Sequence, residues 1–376
     1  MNYIKLNIDG NSCYIRKDFI NLIKFVDGVI FDCDGVLIDA SKSYDKTIQI
    51  TVNYILSQIL GFSLPEDLIP MNIIYRFRAS GGFNNDWDTT YIILLYIFSQ
   101  LPQNFQRSFT NIYKNLLDKS KEPKERLIIV SSHLREIESV KDLKINIDEL
   151  RDGLLKFAEK ADSSGIDSLE RLLNGEALST FKEFLNYPNS IGENLITTFF
   201  EEAYLGSEIF ERVYGIKPKF WFNKGMIENE ELIIKEETLI ELTNLFGEGK
   251  LGIVSGRGYY ATRKTLGKLM DYFNPKAMVF TADDLLKESS FDKQKELAKP
   301  SPYPLLKAAN YFHGKVIYVG NSTEDLLMEE RANKIVNKFL FASVCNDKER
   351  LEFFLNKQVD IALHSVNQLP KVLRGF

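Results

Sequence analysis

Asp32 and Asp34 stand two positions apart at the end of the apolar run Val29-Ile30-Phe31, and a glycine follows at once, in VIFDCDGVLID at 29–39. Side chains two apart on a strand share one face. Two carboxylates in that relation can divide a phosphoryl transfer between them, with Asp32 attacking and Asp34, one step beyond the strand end, handling the proton. Such a reaction also needs a cradle for the phosphoryl oxygens and a positive counter-charge, because the group in flight is crowded and negative. Either acid alone reads as a turn or cap residue. The pair at a strand end is what points to chemistry.

Elements that alternate between strand and helix must hold such a site. Short apolar runs ending in small or polar residues recur at Leu251 to Ser255, Ala277 to Thr281 and Val316 to Gly320, each followed by a helical pattern, and further strands are expected at Phe339 to Val344 and Val359 to Leu363. This order predicts an α/β doubly wound, Rossmann-like parallel sheet, whose ligand crevice lies beyond the carboxyl ends of the strands. Asp32, Ser255 and Asn321 all fall at such ends. Before them, alternation over residues 3 to 8, then Asp9-Gly10 and Cys13 to Ile15, reads as a hairpin within an N-terminal extension, 1–25.

Between these halves the pattern is helical. Tyr44, Ile48, Val52, Ile55 and Ile59 recur at spacings of three and four, and helices are expected at Trp87 to Leu101, Phe105 to Leu117 and around Ile147, Leu150, Leu154 and Phe157. Only Leu127 to Val130 and Lys219 to Phe222 look strand-like. The expected organisation is a core from 1–39 and 238–376 and an all-helical insert over 40–237, with polar loops at SKEPKE, 120–125, and at 287–295.

The Asp-x-Asp-Gly-Val motif after Val, Ile and Phe resembles the signature of the haloacid dehalogenase (HAD) superfamily. That resemblance implies a core fold with a helical cap inserted between the first and second motifs. It implies that Asp32 forms an aspartyl-phosphate, that Asp34 protonates the leaving alkoxide and then activates water, and that Ser255 binds a phosphoryl oxygen. Lys299, in KPSPYPLL, matches the family's lysine and would neutralise the nucleophile and the transferred group. Asp325 matches the second acid of a Gly-Asp-x-x-x-Asp motif. Mg²⁺ is then expected at Asp32, Asp34 through its main-chain carbonyl, Asn321 and Asp325. Asn321 departs from the pattern, since an aspartate usually follows that glycine. An amide oxygen can still bind a hard cation but brings no charge, and a missing unit charge near 4 Å is worth about 4 kcal/mol at an effective dielectric of 20. Glu324 sits beside Asp325 on the following helix, poorly spaced to replace it.

Candidate substrate-binding residues are Gly256 and Arg257, which follow Ser255, and Arg78, Asn85 and Trp87 in the insert. YRFRASGGFNNDWDTTYI sets Arg76 and Arg78 before a glycine pair and then gathers Asn84, Asn85, Asp86 and Asp88 about one Trp. The alternative is a connector in which Asn85 or Asp86 caps the next helix. In FEEAYLGSEIFERVYGIKP, also cap-like, Phe199, Phe200, Tyr204, Phe210 and Val213 read as helix packing.

Composition narrows the partners. The chain has 376 residues, 44% of them apolar, and a net charge of −5, with no run of Lys and Arg interleaved with aromatics to meet a nucleic acid. A small phosphorylated metabolite needs only a local positive site. Cys13, Cys33 and Cys345 form neither a disulfide framework nor a zinc set, and His133, His313 and His364 lack metal-ligand spacing. No stretch suits a signal peptide or a membrane span, so a soluble, cytoplasmic protein is expected, with a homodimer compatible with the large insert.

The leading expectation is a Mg²⁺-dependent phosphatase. A phosphomutase would use the same nucleophile and return the phosphoryl group to the sugar. A dehalogenase is disfavoured, because halide displacement has no use for the proton on Asp34. From another class, a degenerate HAD scaffold could serve as a binding or regulatory module, which Asn321 favours and the intact Asp32, Asp34, Ser255 and Lys299 oppose.

Overall fold

The computed structural model describes residues 2–83, 85–116, 122–141, 143–285 and 296–375. Asn84, Leu117, the start of the SKEPKE segment and the expected 287–295 loop lie outside them. The chain forms two compact units, residues 1–40 with 230–376, and residues 41–229. The return from the insert therefore falls at Glu230, ahead of the expected 238. The reason is local: Glu231 and Leu232 pair with the first segment, and Asn367 accepts from the Lys235 amide and donates to the Ile233 carbonyl.

The first unit is an α/β layer structure. Its strands in chain order are β1 (Tyr3–Ile8), β2 (Asn11–Arg16), β3 (Val26–Phe31), β4 (Ile38–Asp39), β5 (Glu231–Leu232), β6 (Leu251–Ser255), β7 (Met278–Phe280), β8 (Lys315–Gly320), β9 (Phe339–Val344) and β10 (Ile361–Leu363). Eight of them make one sheet in the order β1-β2-β10-β9-β8-β3-β6-β7, in which β10 through β7 run parallel. The expected N-terminal hairpin is β1 and β2; it extends the far edge by antiparallel pairing of β2 with β10.

The parallel strands read as continuous apolar runs because both faces are covered, and β6, β9 and β10 are buried at every position. Ile30, Val254, Val316, Tyr318 and Phe341 pack with Leu305 and Met328 from the covering helices and with Phe312 from the loop before β8. The strands β6 and β8 flank β3 on opposite sides, so the chain reverses its direction of winding at β3. Ligand crevices form at such a point, beyond the strand C-termini.

The second unit is helical, and among its described residues there is no strand. Its helices include Tyr44–Leu60, Asp86–Gln100, Gln103–Leu116, Ile147–Ala158 and Leu195–Leu205, close to the ranges read from periodicity. Phe98, Phe109, Phe181 and Phe184 fill its centre, with the Phe98 and Phe181 rings stacked at 4.1 Å. Both strand-like stretches prove otherwise. Leu127 to Val130 lies inside the helix Pro123–Glu136, where Leu127, Val130 and Leu134 face inward and Ile128 faces out. Lys219 to Phe222 is irregular chain, whose first three amides all donate to the buried Glu202 carboxylate at 2.6–3.0 Å. No helix among the described residues is long and apolar enough to cross a membrane.

Candidate active site

The turn after β3 is built by main-chain closure. The amides of Val36, Leu37 and Ile38 all donate to the Cys33 carbonyl, and the Gly35 amide donates to the Ile38 carbonyl at 2.7 Å. Gly35 has φ +75°, the left-handed region that glycine occupies without strain. This tight loop holds Asp32 and Asp34 at the carboxyl end of the sheet, while the Asp32 amide still bonds to the Val319 carbonyl of β8 at 2.9 Å.

Asp32 lies almost buried beside a cation. Lys299 Nζ sits 2.7 Å from Asp32 Oδ1 and 2.7 Å from Asp325 Oδ1, with only 9% of its side chain exposed. Burial pushes the Asp32 carboxyl up, and the Asp325 and Asp34 charges add to this while Lys299 opposes it. Burial works against the Lys299 charge as well, yet Asp32 and Asp325 together hold its ammonium well above the usual lysine range. The arrangement is an ion triad in which one cation serves two carboxylates.

Asp325 anchors the other side. Its Oδ1 accepts from Lys299 and, at 2.7 Å, from the Tyr318 hydroxyl; its Oδ2 accepts from the amides of Asn321 and Ser322 and from the Ser322 hydroxyl. Ser322 returns the bond as N-cap of the helix Thr323–Val336, completing a capping box. Five donors on two oxygens outweigh its burial, so the carboxyl is held below the usual range. Asn321, expected as a ligand, has its amide group against Gly35: a Cβ built there would stand 2.0 Å from Asn321 Nδ2.

Asp34 belongs to a second ion triad. Arg257 Nη1 lies 2.7 Å from Asp34 Oδ1, and Nη2 lies 2.7 Å from Glu230 Oε2. The Arg257 and Glu230 side chains are wholly buried, whereas Asp34 is 38% exposed. Thr265 donates to the same Glu230 oxygen at 2.5 Å. Arg257, expected to contact a ligand, therefore has both ends of its guanidinium engaged by carboxylates of the protein. Ser255 ends β6 fully buried; its hydroxyl accepts from the Arg257 amide at 3.2 Å and also reaches the Cys33 thiol, which burial pushes up to about 12. Gly256 is exposed, and a Cβ there would meet nothing within 4 Å.

Thus Asp32, Lys299 and Asp325 meet, and so do Asp34 and Arg257. Arg78, Asn85 and Trp87 belong to the second unit and have partners within it. Arg78 pairs with the buried Asp45 at 2.5 Å and with Asp86 at 2.8 Å; Asn85 caps the helix Asp86–Gln100 by accepting from the Trp87 amide; and the Trp87 indole donates to Glu201 at 3.1 Å. The capping reading of this stretch is the one its backbone carries. Glu230, Tyr318 and Ser322 were not among the candidates read from sequence. Ser322 could have been found from its Ser-x-x-Asp spacing, while Glu230 and Tyr318 give no local signal.

Asp325 has both oxygens committed to protein donors. The groups of hard-cation character left on these loops are the Asp32 carboxylate, the Asp34 carbonyl and the Asn321 amide oxygen. No group of three or more His, Cys, Asp or Glu side chains among the described residues is gathered as a metal cage.

No protein-family model and no curated protein match the chain. Two solved structures are similar over nearly their whole length. An X-ray structure from the Northeast Structural Genomics Consortium, target ZR25, aligns at 20% identity with a TM-score of 0.62, covering 93% of this chain and 98% of the other. Phosphatase Tt82 from Thermococcus thioreducens aligns at 18% identity with a TM-score of 0.50, covering 93% and 99%. At these identities the likeness is one of fold, an α/β core on a mostly parallel sheet with many helices.

Proposed function

We propose that this protein is a phosphatase of the HAD type, hydrolysing a small phosphorylated metabolite through an aspartyl-phosphate. The observation that carries the reading is the Lys299 ammonium held at 2.7 Å from Asp32 at the carboxyl end of β3. A buried carboxylate meant only for packing gains little from such an arrangement, since the desolvation cost roughly offsets the attraction. A nucleophile gains directly, because the ammonium favours its ionised form against the burial that pushes the carboxyl up and can then follow the charge onto the transferred group.

In the first step an Asp32 oxygen bonds to phosphorus, the ester P–O bond breaks, and Asp34 gives its proton to the leaving oxygen. In the second, Asp34 takes a proton from water as that water attacks the phosphorus, releasing phosphate and restoring Asp32. Ser255, whose buried hydroxyl rests between the Arg257 amide and the Cys33 thiol, would turn to the bound group to hold a phosphoryl oxygen, beside main-chain amides of the same loops. Mg²⁺ fits the donors left free: Asp32, the Asp34 carbonyl and Asn321, completed by water and phosphate oxygens, as this cation usually binds. When bound, it would neutralise phosphoryl charge. Asp325 acts in this scheme by fixing Lys299, not by ligation. The fold shared with a phosphatase agrees with the reading.

Asn321 gives one reason to keep a second reading, a scaffold that binds without turnover. Phosphate release from p-nitrophenyl phosphate separates the two, measured with and without Mg²⁺ for wild type, Asp32→Asn and Asn321→Asp. Activity abolished by Asp32→Asn supports the phosphatase. A wild type inactive with every divalent metal, but active as Asn321→Asp, supports the scaffold; inactivity of both rejects the mechanism. Product analysis with sugar phosphates distinguishes a phosphomutase.

A further inference from the structure

We infer that Arg257 is a positioning residue for the proton transfer made by Asp34, and not a contact for substrate. The inference rests on the phosphatase reading above and assigns how its acid is held. Three observations carry it. The guanidinium is wholly buried and reaches Asp34 Oδ1 at 2.7 Å. Its other end is held by the equally buried Glu230 at 2.7 Å. Glu230 is itself fixed by the Thr265 hydroxyl.

This geometry pins one oxygen of Asp34 and leaves a carboxyl that is 38% exposed to present the other. The proton to be transferred sits on that second oxygen. As it moves to the leaving oxygen, the O–H bond of Asp34 breaks, a new O–H bond forms on the departing alkoxide, and negative charge appears on Asp34. Arg257, braced by Glu230, holds the carboxyl in one orientation while the proton moves, so the second oxygen stays turned toward the leaving group. An acid already held in its reactive orientation does not have to be ordered at the moment of transfer, which lowers the barrier for the step that uses it. The benefit depends on how much proton transfer the leaving group demands. A good leaving group departs as an anion and gains nothing from Asp34 or from Arg257.

The test measures kcat/KM, which reports steps up to departure of the leaving group, for substituted phenyl phosphates ranging from phenyl to 2,4-dinitrophenyl phosphate. The variants are Arg257→Gln, Arg257→Lys, Asp34→Asn and the double variant Asp34→Asn/Arg257→Gln. Arg257→Gln is expected to lose on the order of 10²-fold on phenyl phosphate, the lower range for general acid catalysis, and under about 3-fold on the dinitrophenyl ester. Arg257→Lys should fall between, and Arg257→Gln should add no further loss in the Asp34→Asn background. If Arg257→Gln does not fold, as judged by thermal melting, the slope of Arg257→Lys against leaving-group acidity decides. A loss uniform across the series, or one that adds to that of Asp34→Asn, overturns the inference in favour of substrate binding or a general structural role. Full activity in Asp32→Asn, or none in wild type, would instead reject the phosphatase reading, and the inference with it.

Discussion

Asn321 lies so close over Gly35 that a Cβ on the glycine would stand 2.0 Å from its Nδ2 atom. The loop after β3 and the loop after β8 therefore meet at a position where only hydrogen fits, and the φ of +75° independently favours glycine. Gly35→Ala should cost about 1–3 kcal/mol from backbone strain and displace the Asn321 amide. Thermal melting and phosphatase assay would register both. In Gly35→Ala/Asn321→Ala the steric conflict disappears but the backbone cost stays, so stability should recover only in part; full recovery would show that the conformation of residue 35 is unimportant.

Lys299→Met leaves Asp32 and Asp325 buried near one another without their shared cation. Removing one partner of a buried ion pair typically costs about 3–5 kcal/mol. Urea denaturation should show a loss of that order together with loss of turnover. Unchanged stability would mean that water or a rearranged Tyr318 replaces the ammonium.

In the second unit, burial pushes the Glu201 carboxyl up to about 7, against the hydrogen bonds from Tyr214 and Trp87. Between the ordinary value of 4.5 and about 7 the folded chain holds a proton that the unfolded chain has released, so this group's contribution to stability falls as pH rises through that window. Glu201→Gln removes the titration. The variant should gain on wild type from about pH 4.5 upward and level off above about pH 7, with a ceiling of about 3 kcal/mol at 1.36 kcal/mol per pH unit. Urea melts at pH 4 and pH 8 are sufficient, and a constant difference between them would contradict the assignment.

Asn321→Asp adds a unit charge where the proposed cation is bound. The Mg²⁺ concentration giving half-maximal activity should drop at least about 10-fold, a 1.4 kcal/mol gain that leaves most of the Coulomb attraction offset by desolvation. A metal titration of activity reads this directly. No change would place the cation away from Asn321.

The sheet strands and the order of the site segments were legible because each is local: an apolar run, then a small or acidic residue, then a helix. Asp32 and Ser255 could be picked out in this way, whereas Lys299 and Asp325 stood out only through the resemblance of their segments to a family's motifs. Local signals misled at Leu127 to Val130, where branched residues read as a strand but lie on a helix buried along one side. Lys219 to Phe222 misled for a different reason: its run of aromatic residues suits a strand, but its first three amides donate to the Glu202 carboxylate and not to a neighbouring strand. The role of Arg257 was hidden because its partner Asp34 is 223 positions away, and burial of a guanidinium leaves no mark in the surrounding sequence. Glu230 and Tyr318 lie only 27 and 7 positions from Arg257 and Asp325, and were concealed because a lone Glu before a short strand and a Tyr inside an apolar strand carry no local mark of such a bond.

The small β4–β5 ribbon, in which Asp39 faces Glu231 and Ile38 faces Leu232, is where the chain departs from the first unit and comes back to it. Ala40 and Glu230 are thus the two ends of an antiparallel pair that a tight Asn-Gly turn could join as an ordinary hairpin. Everything between these points can accordingly be lengthened, shortened or exchanged while the sheet keeps its hydrogen-bonding order, which makes the ribbon a natural splice site for joining one α/β core to many different inserts.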